Sequence, residues 1–108
     1  MNTPRTLILT LSALATLAAA PLAVASEAIV KKARCVACHA VDAKRVGPAY
    51  QEVAARYAGD PGAAGKLFRK VRQGGAGAWG EIAMIPHPED KISDDDLKAA
   101  ISWILSLR

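Results

Sequence analysis

Apolar residues recur along the chain at helical spacing, and no alternating run is long enough to suggest a strand. Tyr50, Val53, Ala54 and Tyr57 stand at i, i+3, i+4 and i+7, one stripe that stops before Gly59. Asp60-Pro61 then sets an N-cap residue ahead of a proline at the first helical position. The helix that follows buries Ala64, Leu67, Phe68 and Val71 until Gly74-Gly75 ends it. Ser93 caps a last helix, with Asp94, Asp95 and Asp96 in its first turn where carboxylates favour the helix dipole. Its apolar face is Leu97, Ala100, Ile101, Ile104 and Leu105. A shorter helix over residues 27–34 buries Ala28, Ile29 and Ala33. Between the third and last helices, residues 74–92 hold four Gly together with Pro86 and Pro88. A loop that long in a small domain is functional or disordered. The pattern predicts an all-α fold of four short helices and one long loop.

The N-terminus is set apart from this pattern. Arg5 is followed by an uncharged run over residues 6–25, built on Leu7, Ile8, Leu9, Leu11, Leu14 and Leu17. Pro21 breaks the run, and Ala23-Val24-Ala25 supplies small residues at alternate positions. This is the pattern of a secretory signal cut after Ala25, so residues 1–25 are read as signal peptide and 26–108 as the working domain. The alternative is an uncleaved anchor, since twenty uncharged residues could just span a bilayer. Of the 108 residues, removal of 25 leaves 83, with one Phe, two Trp and two Tyr among them. So short a chain has a marginal core and needs a staple: a disulfide, a metal or a cofactor.

Charge divides the domain. Residues 31–72 carry ten bases against three acids, and residues 81–96 carry six acids against Lys91 alone. Such a dipolar surface can steer docking to a charged partner. It lacks the basic stripe with aromatics that nucleic acid would require.

The chemistry is concentrated in Cys35-Val36-Ala37-Cys38-His39, a C-x-x-C-H sequence that signals attachment of c-type haem. Two thiols three positions apart on one helical turn reach the two porphyrin vinyl groups, and the next residue, His39, falls over the iron as an axial ligand. A thioredoxin-type pair would need a βαβ setting, and a zinc site would need a second Cys pair where only His87 remains. A structural disulfide is the third alternative in an oxidised compartment. With haem in place, an electron carrier requires a second axial ligand. Met84 is the one methionine left once Met1 departs with the signal, and methionine trans to histidine raises the haem potential.

Together with Val46-Gly47-Pro48-Ala49-Tyr50, Gly77-Ala78-Trp79-Gly80 and Met84, the C-V-A-C-H motif makes residues 26–108 resemble the small bacterial monohaem class I cytochromes c, of the c-551/c-552 type. The resemblance implies an all-helical wrap around one haem c, in which the N- and C-terminal helices cross beside the cofactor. It implies Cys35 and Cys38 as the thioether anchors and His39 and Met84 as iron ligands. Pro48 matches a proline whose carbonyl accepts from the axial His, and Trp79 a tryptophan whose N–H reaches a haem propionate. Lys70, or Arg69 beside it, matches a base that offsets propionate charge; Tyr50 and Trp103 are assigned to core packing.

The implied function is that of a soluble, monomeric periplasmic shuttle and not an enzyme. It passes single electrons between a membrane cytochrome complex and terminal reductases or oxidases, without nucleic acid and without membrane insertion once the signal is cut. The alternative is a ligand-binding or peroxidatic c-type haem protein with a labile Met84. One departure stands out: the family reads Pro-Met-Pro-Pro-Asn where this chain has Ala83-Met84-Ile85-Pro86-His87. If His87 takes the place of that Asn, a neutral ring donates a hydrogen bond near the Met84 sulfur; otherwise it is an exposed loop histidine.

Overall fold

The structure is a computed structural model that describes residues 12–15 and 20–108, so much of the expected signal at residues 1–25 lies outside the described residues. The fold is organised around α4 (Asp94–Ser106), which packs against α1 (Ala20–Lys32), α2 (Tyr50–Arg56) and α3 (Ala63–Gln73). Its start is fixed as the sequence suggests, with the Ser93 hydroxyl accepting from the Asp96 N–H at 3.2 Å. Leu97, Ala100 and Ile101 are the buried stripe of α4. Leu97 and Ile101 join Val53 of α2, Leu67 of α3 and Ile92 in one cluster, flanked by the partly buried Ile29, Phe68 and Trp79.

Three details differ from the sequence reading. Helix α1 begins at Ala20, inside the expected signal, and runs through the expected cleavage point. Its buried apolar residue is Val30 (1% exposed), whereas Ala28 faces solvent and Ile29 and Ala33 are half-buried. In α3 the N-cap is Gly62 rather than Asp60. The Asp60 carboxylate accepts from the Gly62 N–H at 2.8 Å and holds Lys66 Nζ at 2.7 Å, which closes a turn ahead of the helix. Ala63 is therefore the buried alanine, four residues before Leu67, and Ala64 is exposed.

The third difference lies in the long loop. It contains an antiparallel hairpin of β1 (Gly75–Gly77) and β2 (Gly80–Met84), pairing Gly75 with Met84 and Gly77 with Gly80 around an irregularity. A search for alternating apolar residues cannot see a strand made of Gly-Ala-Gly. Gly75, Gly77 and Gly80 all take φ above +100°, a backbone that only glycine adopts readily. The rest of the architecture is helical, and among the described residues no helix is long and apolar enough to cross a membrane.

Candidate functional site

Between α1, the loop after it, the hairpin and α4 lies a cavity of about 620 Å³ with largely apolar walls, among them Val30, Val53, Leu67 and Ile101. That is the size of pocket in which proteins hold organic ligands, roughly 300–1,000 Å³. All seven residues singled out in the sequence line it: Cys35, Cys38, His39, Pro48, Lys70, Trp79 and Met84.

The cysteines are presented by a local turn. After α1 the chain reverses at Arg34, whose φ of +63° is left-handed, and enters a 3₁₀ turn over Cys35–Ala37. The Ala37 N–H donates to the Arg34 carbonyl at 3.1 Å, and the N–H groups of Cys38 and His39 both donate to the Cys35 carbonyl, at 3.1 and 2.9 Å. Arg45 holds the outside of the turn by donating to the Val36 carbonyl at 3.0 Å. Both cysteines are free thiols, so the pair is not a disulfide. Burial pushes the Cys35 thiol up, so that it stays protonated at neutral pH. Among the described residues no cluster of three or more His, Cys, Asp or Glu side chains could hold a metal ion, which leaves the zinc alternative without ligands there.

His39 is held on three sides. Its Nδ1 lies 2.8 Å from the Pro48 carbonyl, an acceptor, so the ring proton sits on Nδ1 and Nε2 keeps the lone pair that a metal needs. Tyr50 stacks on the ring at 5.3 Å and 18°, and Trp103 meets Tyr50 edge-on at 5.9 Å. Gly47 lies against the third side. A Cβ there would stand 2.8 Å from Nδ1 and 2.9 Å from Nε2, closer than atoms of these types approach. Gly47→Ala should therefore push the imidazole off the Pro48 carbonyl and cost about 1–3 kcal/mol, the usual range for overpacking. Thermal unfolding of the two holoproteins tests this, and equal midpoints would contradict it.

The Tyr50 hydroxyl is buried beside the Cys35 thiol without completing a hydrogen bond. Burial, with the neighbouring Cys35 adding to it, raises this phenol far above its ordinary range and keeps it neutral. On the other wall, Arg56 donates to the Ala78 carbonyl and lays its guanidinium 3.5 Å from the centre of the Trp79 ring. Lys70 Nζ donates to the Gly75 carbonyl at 3.0 Å, so both basic residues brace the hairpin that ends in Met84. Met84 is half-buried at the end of β2 rather than in an irregular loop.

His87 departs from both sequence expectations. It is 9% exposed, not a surface residue. Its Nδ1 lies 2.9 Å from the Ile85 carbonyl, so the single N–H of the neutral ring goes to that carbonyl and none remains for the Met84 sulfur. The contributions of Gly47, Arg34 and Arg56 were not singled out in the sequence. Gly47 had a signal in the Val46-Gly47-Pro48 run, whereas the two arginines carried none.

The arrangement fits a covalently attached haem. An apolar cavity of the right order of size holds two free thiols a helical turn apart, an imidazole with its distal nitrogen available, and a thioether sulfur. A buried, unpartnered phenol stands beside one anchor.

The family model for Cytochrome c matches residues 23–108. A cytochrome c-551 of Pseudomonas aeruginosa is 45% identical over 80 residues, 74% of this chain and 74% of that protein. A cytochrome c-552 of Nitrosomonas europaea is 44% identical over 100 residues, 88% of this chain and 95% of that one. The crystal structure of wild-type Nitrosomonas europaea cytochrome c552 superposes with a TM-score of 0.69 at 45% identity, covering 76% of this chain and 99% of that one.

Proposed function

Because the chain belongs to the cytochrome c family, whose members carry electrons on one covalently attached haem c, we propose that it is a monomeric periplasmic carrier of single electrons. In this reading Cys35 and Cys38 anchor the haem through thioethers and His39 and Met84 bind its iron. The observation that carries it is the convergence of these four side chains on one apolar cavity, with the His39 tautomer set by Pro48. The bound haem supplies a one-electron ferric–ferrous couple.

The chain's own residues tune and protect that couple. The Pro48 carbonyl draws on the Nδ1 proton and makes Nε2 a stronger donor, while the Tyr50 ring stops the imidazole from turning. Apolar walls exclude water and disfavour extra positive charge, which favours the reduced state. Trp79, held by Arg56, would offer its indole N–H to a haem carboxylate, and Lys70 on the same wall would offset that group's charge. With His39 and Met84 both on the iron, a substrate would find no open position there, which makes the protein a carrier and not an enzyme. Residues 1–25 act as the signal that exports it, and residues 26–108 exchange electrons with a membrane cytochrome complex and with terminal reductases or oxidases.

Carbon monoxide separates this reading from a ligand-binding or peroxidatic one. The reduced protein should be inert to carbon monoxide at neutral pH, because Met84 would hold the iron that carbon monoxide needs. Ready formation of a carbon monoxide complex would favour the open-site alternative.

A further inference from the structure

Arg72, in the last turn of α3, is only 17% exposed and binds three separate partners. Its Nη1 donates to the His87 carbonyl at 3.0 Å and to the Ile92 carbonyl at 2.8 Å, and its Nη2 pairs with Asp94 Oδ1 at 2.5 Å. The guanidinium carbon lies 5.1 Å from the centre of the Phe68 ring, within the same helix. One planar group thus joins α3, both ends of the segment over residues 87–92, and the start of α4. The main chain adds a parallel tie, from the His87 N–H to the Val71 carbonyl at 2.9 Å.

Met84 sits just upstream of this clamp, with only Ile85 and Pro86 between it and His87. On its other side the backbone rests on Gly74, which ends α3 with φ +65°. A Cβ on Gly74 would run into the Met84 carbonyl and stand 2.8 Å from the Pro86 nitrogen. The segment carrying the sulfur is therefore pinned to the end of α3 by a close backbone approach before Pro86 and by the Arg72 fork after it.

We infer that Arg72 is a positioning residue for the Met84 sulfur, an inference that rests on Met84 being the axial ligand. It keeps residues 84–92 closed on α3, so that release of the sulfur is a local opening of this segment and not an unfolding of the helices. What matters is the fork rather than the charge. A lysine ammonium at position 72 keeps the positive charge, but as a point donor it cannot serve two carbonyls and a carboxylate in this planar arrangement.

Imidazole added to the ferric holoprotein must displace Met84, so its apparent affinity reads the population of the open segment. Arg72→Gln and Arg72→Lys should both bind imidazole at least about tenfold more tightly than the unsubstituted protein, a change of about 1.4 kcal/mol. Leu105→Ala near the end of α4, half-buried and outside both the cavity wall and residues 84–92, should lower the thermal midpoint without that gain in affinity. Unchanged affinity in Arg72→Lys would reduce the residue to a charge and overturn the inference. An equal gain in Leu105→Ala would overturn it too, by showing that general instability is enough. If the unsubstituted ferric protein shows no sulfur-to-iron absorption in the near infrared, the Met84 assignment falls and this inference with it. If that absorption is present and the Arg72 variants bind imidazole as the unsubstituted protein does, this inference alone fails.

Discussion

The double substitution Cys35→Ala, Cys38→Ala will give a haem-free chain with no cooperative thermal transition. The residues that should form the core are the same ones that wall the cavity: Val30, Val53, Leu67, Leu97 and Ile101 all face it. Left hollow, a space of about 620 Å³ is a large defect. At about 24 cal/mol per Å³ of residual cavity, its cost has a ceiling of about 15 kcal/mol. Whole domains are stable by only about 5–15 kcal/mol. The chain can relieve the defect only by collapsing inward, which dismantles the helix packing around α4. A group that binds the native state alone adds its binding free energy to folding, and a covalent one cannot dissociate. Far-ultraviolet circular dichroism on heating is the measurement. A sharp, high transition in the haem-free protein would show that the helices hold themselves together.

Met84→Ala will lower the midpoint potential and open the iron to added ligands while the thioether bonds stay intact. Thioether sulfur stabilises ferrous iron, and water or hydroxide in its place stabilises ferric iron. The fall should reach about a tenth or more of the ~0.8 V span that axial ligands command. His87 will not restore the closed state in this variant. Its Nδ1 is turned to the Ile85 carbonyl, and its backbone is tied to Val71 and Arg72, so the ring cannot advance by three residues. Potentiometric titration and carbon monoxide binding check both halves. An unchanged potential, or continued inertness to carbon monoxide, would remove Met84 from the iron.

The site was more legible in the sequence than the details of the fold. Cys35, Cys38 and His39 are close in sequence and their spacing is dictated by a macrocycle, so the motif can be read without any tertiary structure. Met84 followed from being the one methionine left beside a haem motif, whereas Pro48, Lys70 and Trp79 came from the family resemblance alone; the structure lines one cavity with all of them. The helices announced themselves through stripes at Tyr50, Leu67 and Leu97, and Ser93 marked the start of the last. The hairpin stayed hidden because its first strand has almost no side chains, and strand signals are side-chain signals. Exact phase was also out of reach. Whether Ala63 or Ala64 faces inward depends on the turn that Asp60 closes with Gly62, a contact that no periodicity reports. Arg72 was the deepest omission. An arginine near a helix C-terminus ordinarily reads as a solvated charge, and only the return of His87, Ile92 and Asp94 to the same point makes it a clamp.

If His39 and Met84 together close the iron of a covalently held haem, near-infrared absorption of the ferric holoprotein must report the sulfur. A sulfur-to-iron band is expected at neutral pH, vanishing on one-electron reduction and lost in Met84→Ala. A ferric protein without that band, or one that keeps it when Met84 is replaced, would take Met84 off the iron.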